Sequence, residues 1–490
     1  MNKNITNSSK VVTRFAPSPT GFMHIGGVRT ALFAYLHARK NSGVFILRIE
    51  DTDKSREVEG SIEHIKESLS WLGLEWDYGP DSETTPFGSC IQSKRLDTYL
   101  HYANILVEKG LAYPDPYTTQ EVEAFRNKAV EEKRPFLFRN HRPEVTEIWD
   151  GSKPLRLKVP EIKRYTWNDV VRGELSAGEE MLDDVILIKS DGYPTYNFAH
   201  IVDDHEMGVT HIMRADEFIA STPKFLSIYD ALEFTPPEFV TLPPILREDK
   251  TKKLGKRDGA KDILDYRSEG YLPEALVNFL SLTGWNPGTE QEVFSKEDLI
   301  CTFDITKIQR AGALLNEDKL LWMNKQYVSN LNTDEQAKFV ETYLTEAVKQ
   351  LPQFNLARLK RSISTIIERV SIGKEISDAC EAGEYKYLFG NLDYEVDILK
   401  WKNDVSIAST LPRLEKALGA LSDANFTSAE AVKSALWPLA EELGKGELLW
   451  PLRVALSGKE RSPDPFTLAF ILDREETLLR IKTACDKIKA

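Results

Sequence analysis

The stretch Arg14-Phe15-Ala16-Pro17-Ser18-Pro19-Thr20-Gly21-Phe22-Met23-His24-Ile25-Gly26-Gly27-Val28-Arg29 constrains this chain more than any other. An apolar strand, Val11 to Ala16, runs into two prolines and Gly21, and a long helix opens directly afterwards. Proline fixes its own φ and cannot donate to a strand ladder, so the strand has to end there. A strand that stops abruptly and feeds a helix is the first half of a βαβ unit, which commits the chain to a parallel sheet with helices on its faces. His24-Ile25-Gly26-Gly27 sits at the mouth of that helix. A helix N-terminus leaves backbone N–H groups without partners and carries partial positive charge, and glycine lets a ligand come close to the backbone. This is the pattern of a phosphate site with an imidazole added. Arg14 and Ser18 lie just upstream, where a second anionic ligand can be held beside the phosphates.

The next strand, Val44 to Ile49, is nearly continuously apolar, as a buried parallel sheet requires, with Gly43 before it as a helix stop signal. Glu50-Asp51-Thr52-Asp53 follows at its C-terminal end, the edge where open α/β sheets bind ligands. A helix is expected with Val58, Ile62, Ile65, Leu69 and Leu72 on one face, ending at Gly73, and another through Leu96 to Leu106. From Leu111 to Gly192 shorter elements punctuated by prolines suggest an α+β insertion. Strand character returns at Val185–Ile188 and Thr210–Arg214, Thr222 reads as an N-cap with Pro223 behind it, and Phe239–Leu242 is the expected last strand of the sheet. A basic loop, Arg247 to Arg257, follows, and beyond about residue 330 helical periodicity dominates. The expected fold is an α/β Rossmann-like parallel-sheet catalytic domain with an α+β insertion, followed by an all-α C-terminal region. The boundaries are a disordered tail 1–10, the first half of the sheet domain 11–110, the insertion 111–192, the second half 193–246, a region 247–330 with the basic loop, and helical subdomains 331–390 and 391–490.

A chain of 490 residues exceeds one hydrophobic core. Its net charge of −13 argues against coating nucleic acid non-specifically, and leaves room for a specific RNA met by local basic patches. No apolar run approaches the roughly 18 residues of a membrane span, and the polar Met1–Lys10 has no signal-peptide core, so a cytoplasmic protein is expected. Cys90, Cys301, Cys380 and Cys485 lack metal or redox spacing and read as reduced thiols.

Lys252-Lys253-Leu254-Gly255-Lys256-Arg257 places several cations on a glycine-containing loop, which suits a triphosphate whose charge grows during displacement. Alone, such a run is more often a solvated loop. An H-I-G-G after the first strand and a K-L-G-K-R after the last strand of one sheet, however, resemble the two signature motifs of class I aminoacyl-tRNA synthetases. R-F-A-P-S-P-T-G-x-x-H-I-G-G, F-I-L-R-I-E-D-T-D, D-G-Y-P-T-Y-x-F-A-x-x-V-D-D-H and G-V-T-H-I-M-R-A-D-E are similar to glutamyl-tRNA synthetase of the bacterial type, in order over residues 11 to 330. The helical region resembles that family's anticodon-binding part.

The resemblance implies ATP-dependent attachment of L-glutamate to tRNA(Glu) through a glutamyl-adenylate, with activation that needs bound tRNA. It implies that 111–192 binds the acceptor stem and that 247–330 contacts the tRNA stem. His24 and Lys256 would be catalytic. His24, Gly26, Lys253 and Lys256 would hold ATP phosphates or ribose, with Asp216, Glu217, Phe218, Ile245 and Leu246 near the adenosine. Arg14 and Arg214 would take the glutamate carboxylates, since guanidinium meets carboxylate bidentately. Glu50 would take the ammonium, and Ala16, Ser18 and Tyr196 would complete the pocket, with Asn197 and His200 close by. Arg369 aligns with an arginine that some members use to read the last anticodon base, which favours discrimination against glutamine tRNA. Asp203 and Asp204 look like a metal pair, but a structural role at a helix end is the favoured reading, and Mg2+ is expected only with ATP. Many members carry a zinc knuckle after an Ala-Tyr; here Asp115 and Tyr117 stand where its cysteines would be, so no zinc is expected. Gly255 stands where serine is commoner. No DNA or membrane partner is expected, and the chain reads as a monomer. A relative that glutamylates a modified tRNA base lacks the helical region. A glutamine-specific enzyme opens P-P-E-P-N-G and ends in β-barrels. A non-catalytic relative would have lost His24, Lys256 or Arg14.

Overall fold

The computed structural model describes residues 10–144, 147–246 and 261–490. The chain divides into two compact units, Met1–Tyr266 with Pro273–Leu320, and Arg267–Leu272 with Leu321–Ala490.

The first unit opens with β1 (Val12–Phe15), α1 (Ile25–Lys40) and β2 (Val44–Leu47). The two strands pair in parallel, Val12 opposite Val44 and Phe15 opposite Leu47, as the opening βαβ pattern requires. Buried Ile25, Val28, Leu32, Phe33 and Leu36 line α1. Gly43 does not stop this helix as expected. The left-handed residue is Ser42 (φ 50), and Gly43 is needed for space: a Cβ there would lie 2.3 Å from the Val11 carbonyl oxygen. α2 (Ser61–Trp71) and α3 (Leu96–Glu108) follow. Gly60 (φ 77) delays the start of α2, so Val58, expected on its buried face, lies outside the helix and exposed.

Continuing along the chain are β3 (Ala112–Pro114), α4 (Thr119–Glu131), β4 (Leu155–Leu157), β5 (Tyr165–Asp169), β6 (Gly173–Ala177) and β7 (Ile186–Ile188). The core of the unit is completed by α5 (Tyr196–Glu206), β8 (His211–Ala215), α6 (Thr222–Leu232) and β9 (Glu238–Leu242). The main sheet has the order β2-β1-β8-β9-β5-β6, parallel except for the β5–β6 hairpin at its edge. The stretch 111–192 therefore contributes to two sheets. β3, β4 and β7 form a separate antiparallel sheet, whereas β5 and β6 extend the main one. In β5 Tyr165, Trp167 and Asp169 are buried and alternate with exposed neighbours, the period-two pattern of a sheet with one wet face. Asp169 sews β5 to β9: its carboxylate accepts from the Thr241 hydroxyl at 2.6 Å and the Thr241 N–H at 3.1 Å. β10 (Ile245–Leu246) and β11 (Ala313–Leu314) make a short parallel pair.

The described residues of the second unit contain helices and no strand. Its core packs Leu359, Ile363 and Ile366 from the helix Leu356–Ile367 with Leu414, Leu421, Leu436, Leu452, Leu468 and Ile481 from later helices. The last helix, Pro465–Lys489, is kinked at Asp473 (φ 69, ψ 177), whose carboxylate lies 3.3 Å from Arg361. No helix among the described residues is long and apolar enough to cross a membrane.

Candidate active site

A cavity of about 610 Å3 opens in the first unit, lined among others by Ser18, Glu50, Thr52, Lys189, Tyr196 and Phe218. Ser18, Glu50 and Phe218 come from segments that leave β1, β2 and β8 at their C-terminal ends, and Tyr196 starts α5. That is the ligand edge of a parallel sheet.

A buried charge network lies behind the cavity. Arg48 follows β2 directly and is fully buried. It donates to Glu50 at 2.9 Å and to Asp204 at 2.7 Å. Asp204 also accepts from Arg14 Nε at 3.1 Å, and Asp203 accepts from Arg95 Nε at 2.7 Å, Gln92 at 2.8 Å and the Tyr99 hydroxyl at 2.9 Å. Burial alone would raise the Asp204 carboxyl, but Arg14 and Arg48 outweigh it and hold it at about 2. For Glu50 burial wins over Arg48 and Arg14, and its pKa lies above the usual carboxylate value. Asp203 and Asp204 lie in the last turn of α5, which carries both carboxylates into the network as counter-ions, because buried guanidinium groups demand them. No group of metal-ligating side chains stands together among the described residues.

Arg214, on β8, differs from the other three arginines. It is 7 % exposed, and among the described residues its Nη2 donates to the Thr222 hydroxyl at 2.6 Å. Thr222 is therefore the first residue of α6 rather than the expected N-cap, and its hydroxyl serves Arg214. Phe239, Phe225 and Phe218 surround the guanidinium at 4.7, 5.3 and 5.8 Å. Its Nε has no partner, and no carboxylate of the described residues pairs with it. Burial lowers its pKa from 12.5 to about 10. The salt-bridged network balances Arg14, Arg48 and Arg95 against Glu50, Asp203 and Asp204, and Arg214 makes no salt bridge to it.

Tyr196 lines the cavity near Arg14 and Arg214. Burial and then Glu50 raise its phenol pKa, while Arg14 and Arg214 oppose the shift. His200, expected in the pocket, lies behind Tyr196, its ring stacked at 4.6 Å. Its Nδ1 donates to the Tyr196 carbonyl at 2.6 Å, and burial lowers its pKa to about 3, so it is a neutral support. Arg14, Ala16, Asn197, His200 and Arg214 do not line the cavity, whereas Ser18, Glu50, Tyr196 and Phe218 do. Sequence reasoning missed Arg56 and Lys189, which also line it, and Arg48. The signal for Arg48 was legible: a lone charge in an apolar strand buried on both faces requires carboxylates. Arg56 and Lys189 carried no such signal.

At the other end of the stretch, His24 caps α1. Its Nδ1 accepts from the Gly26 N–H at 3.1 Å, and a Cβ on Gly26 would lie 2.9 Å from the imidazole. The Gly26 N–H, expected to face phosphate, is thus taken by His24, because an unsatisfied first-turn donor attracts the nearest acceptor. His24 also forms a backbone bridge to Asp262. Lys253 and Lys256 lie outside the described residues. Ile245 is buried and Leu246 half-buried in β10, Asp216 and Glu217 begin a short 3-10 turn with Glu217 exposed, and Arg369 is exposed just past the helix Leu356–Ile367.

Asp115 and Tyr117 are both engaged. Asp115 accepts from Arg156 Nε at 2.7 Å, and the Arg156 guanidinium lies 3.4 Å from the Phe138 ring centre. Tyr117 meets Phe125 edge-on at 5.0 Å, and His141 stacks on Phe125 at 4.1 Å.

Residues 10–322 match the family of class I tRNA synthetase catalytic domains (E and Q), and residues 338–485 match an anticodon binding domain. The chain is similar to a glutamate–tRNA ligase of Clostridium kluyveri, 40% identical over 98% of this chain and 99% of that protein. It is 38% identical to one of Clostridium tetani over 99% of each. The fold is similar to the crystal structure of a glutamate tRNA ligase from Elizabethkingia meningosepticum in complex with its amino acid. The TM-score there is 0.84 at 33% identity, covering 97% of this chain and 99% of that one. Glutamate-tRNA synthetase from Elizabethkingia anophelis gives 0.81 at 33% identity, with 97% and 100% covered.

Proposed function

The chain belongs to the class I tRNA synthetases of the glutamate and glutamine (E and Q) family, and on that premise we propose that it is a glutamate–tRNA ligase. The observation that carries the choice of glutamate is Arg214, a guanidinium buried among three phenylalanine rings beside the cavity, with no carboxylate of the described residues paired to it. Glutamate brings two carboxylates and one ammonium, a net charge of −1 for this guanidinium to pair with. Glutamine brings none. Arg214 and Arg14 receive the carboxylates, Glu50 the ammonium, and Ser18 and Tyr196 close the pocket, with Ala16, Asn197 and His200 behind it.

In the first step no general base is required, since the substrate carboxylate is already ionised at neutral pH. A carboxylate oxygen attacks the α-phosphorus of ATP in line, the bond to the bridging oxygen of the β-phosphate breaks, and pyrophosphate leaves. His24 and the mouth of α1 position the phosphates, Lys253 and Lys256 stabilise the charge that builds on pyrophosphate, and Asp216, Glu217, Phe218, Ile245 and Leu246 hold the adenosine. Mg2+ arrives with ATP, and no zinc is required. In the second step the 2′-hydroxyl of the terminal tRNA adenosine attacks the acyl carbon and AMP leaves. The stretch 111–192 meets the acceptor stem and 247–330 the tRNA stem. The helical region reads the anticodon of tRNA(Glu), with Arg369 at its last base. The enzyme acts as a cytoplasmic monomer.

Glutamate-dependent pyrophosphate exchange tests the reading. Exchange is expected with tRNA and not without it, and none under either condition removes the proposal. Lys256→Ala should abolish exchange and keep tRNA binding.

A further inference from the structure

His64, on α2, bonds two other segments of the first unit at once. Its Nδ1 accepts from the Met23 N–H at 3.3 Å, and its Nε2 stands 2.9 Å from Asp262 Oδ1. A neutral imidazole has one donor nitrogen and one acceptor nitrogen. With Nδ1 accepting from Met23, the proton is on Nε2, which donates it to the Asp262 carboxylate. Ser68 Oγ, 3.3 Å from the same Nδ1, gives its own proton to the His64 carbonyl at 2.6 Å and does not compete. The exposed Phe22 ring lies flat on the imidazole, with ring centres 4.6 Å apart, and shields one face of it from water.

Both partners of His64 lead to His24. Met23 directly precedes it, and the Met23 carbonyl accepts from the Ile263 N–H at 3.1 Å. Asp262 pairs with His24 itself in an antiparallel backbone bridge. The Asp262 carboxylate also accepts from the Leu264 N–H at 2.8 Å, in the first turn of the helix Ile263–Ser268, so it is held from two sides. The contacts close into a ring, His64–Met23–His24–Asp262–His64. None of these four residues lines the cavity beside Glu50 and Tyr196. The position of His24 matters twice over, because its imidazole caps α1 through the Gly26 N–H. Any tilt of the Met23–His24 backbone moves the ring and the helix mouth together. The amino-acid end of the site rests on other contacts, Arg14 to Asp204 and Arg214 to Thr222.

Resting on the ligase reading above, we propose that His64 and Asp262 are positioning residues for ATP, a clasp that fixes His24 and the mouth of α1. The two substrates then depend on separate supports. A misplacement of about 1 Å caused by a group remote from the chemistry can cost on the order of 100-fold in rate. Loosening the clasp therefore acts on ATP and spares glutamate.

The test is glutamate-dependent pyrophosphate exchange with tRNA present, with kcat and KM read separately for ATP and for glutamate. His64→Leu and Asp262→Ala are each expected to lower kcat/KM for ATP by about tenfold or more, with KM for glutamate within about twofold of wild type. The double variant should fall no more than about threefold below the worse single variant, since the two residues act through one bond. His64→Gln places an amide donor near the position of Nε2 and keeps the bond to Asp262. His64→Asn places an amide oxygen near the position of Nδ1 and keeps only the acceptor for Met23. The glutamine variant should retain the larger share of kcat/KM for ATP. Ser61→Ala removes a bond to the Gly21 carbonyl, in the same turn but outside the ring, and controls for general loosening. It should leave kcat/KM for ATP within about twofold. A merely structural role moves the ATP and glutamate parameters together, makes the two single losses additive and gives Ser61→Ala the same defect. That pattern, or a folded His64→Leu protein with wild-type ATP parameters, overturns the clasp while leaving the ligase reading in place. Should His64→Leu fail to fold, the glutamine and asparagine variants decide it, and an asparagine variant equal to or better than the glutamine one overturns the proposal. Absence of glutamate-dependent exchange by the wild type would instead overturn the ligase reading itself, and the proposal with it.

Discussion

Replacing Arg214 with methionine should stabilise the ligand-free protein and abolish its use of glutamate. The guanidinium is 7 % exposed, among three phenylalanine rings, with a single hydroxyl as acceptor and Nε unpartnered. Burial depresses its pKa from 12.5 to about 10. Each pKa unit is 1.36 kcal/mol, so holding the charged form in the empty site costs about 3 kcal/mol relative to water. Methionine has a similar length and no charge, and buried ion sites replaced by apolar residues of similar volume are commonly neutral or more stable. Thr222 loses a donor but keeps its own bond to the Phe218 carbonyl at 3.0 Å. Thermal unfolding without ligands should therefore show a midpoint raised by a few degrees, on the scale expected of about 3 kcal/mol in a large unit. Glutamate should stabilise the wild type by mass action and leave Arg214→Met unmoved. Exchange activity should fall on the order of 100-fold or more, as when one charge-stabilising contact is removed. A variant at least 1 kcal/mol less stable than wild type, with glutamate still raising its midpoint, would falsify the account of Arg214 as a cation held for an incoming carboxylate.

Other substitutions probe the scaffold. Gly43→Ala sets a Cβ 2.3 Å from a backbone oxygen that cannot swing away, and should cost about 2 kcal/mol or more in urea unfolding; an unchanged midpoint would refute the close approach of the α1–β2 turn to Val11. Burial, with His211 and Lys40 adding to it, lowers His37 to about 4, and burial lowers His200 to about 3. An unfolded histidine takes up its proton near 6.5, so the stability contributed by each neutral ring is present above that pH. It is lost as pH falls from 6.5 towards 4 and 3, at up to roughly 1.4 kcal/mol per pH unit for each ring. His37→Gln should flatten the decline in unfolding midpoint between pH 6.5 and 4.5, and an identical slope would count against it. Elemental analysis of the purified protein should find far less than one zinc per chain, while Arg156→Met, which strands Asp115, should lower the unfolding midpoint measurably.

How much of this was legible before the structure varies with the element. The βαβ opening, the parallel sheet and the helical second unit follow from local rules, because prolines after a strand, apolar runs and helical periodicity act within a few residues of themselves. The stretch 111–192 was harder. Only pairing decides that β5 and β6 join the main sheet while β3, β4 and β7 do not, and the partner that captures β5 through Asp169 lies 72 residues away. Thr222 shows the same limit at one residue. Its sequence context is that of an N-cap, and the nearby Arg214 guanidinium takes the hydroxyl for another purpose.

The amino-acid order by itself determined which chemical groups are available: an imidazole and glycines at a helix mouth, a basic loop, two arginines and a glutamate beside strand ends. Those facts are local, since residue type and neighbours decide them. Only the tertiary structure decided how the charges are shared. Arg14, Arg48 and Asp204 stand far apart in the chain and meet because β1, β2 and α5 pack together. Electrostatic energy depends on distance and burial rather than on sequence separation. That is why three arginines find salt-bridge partners within the fold, while Arg214 makes none with the described residues.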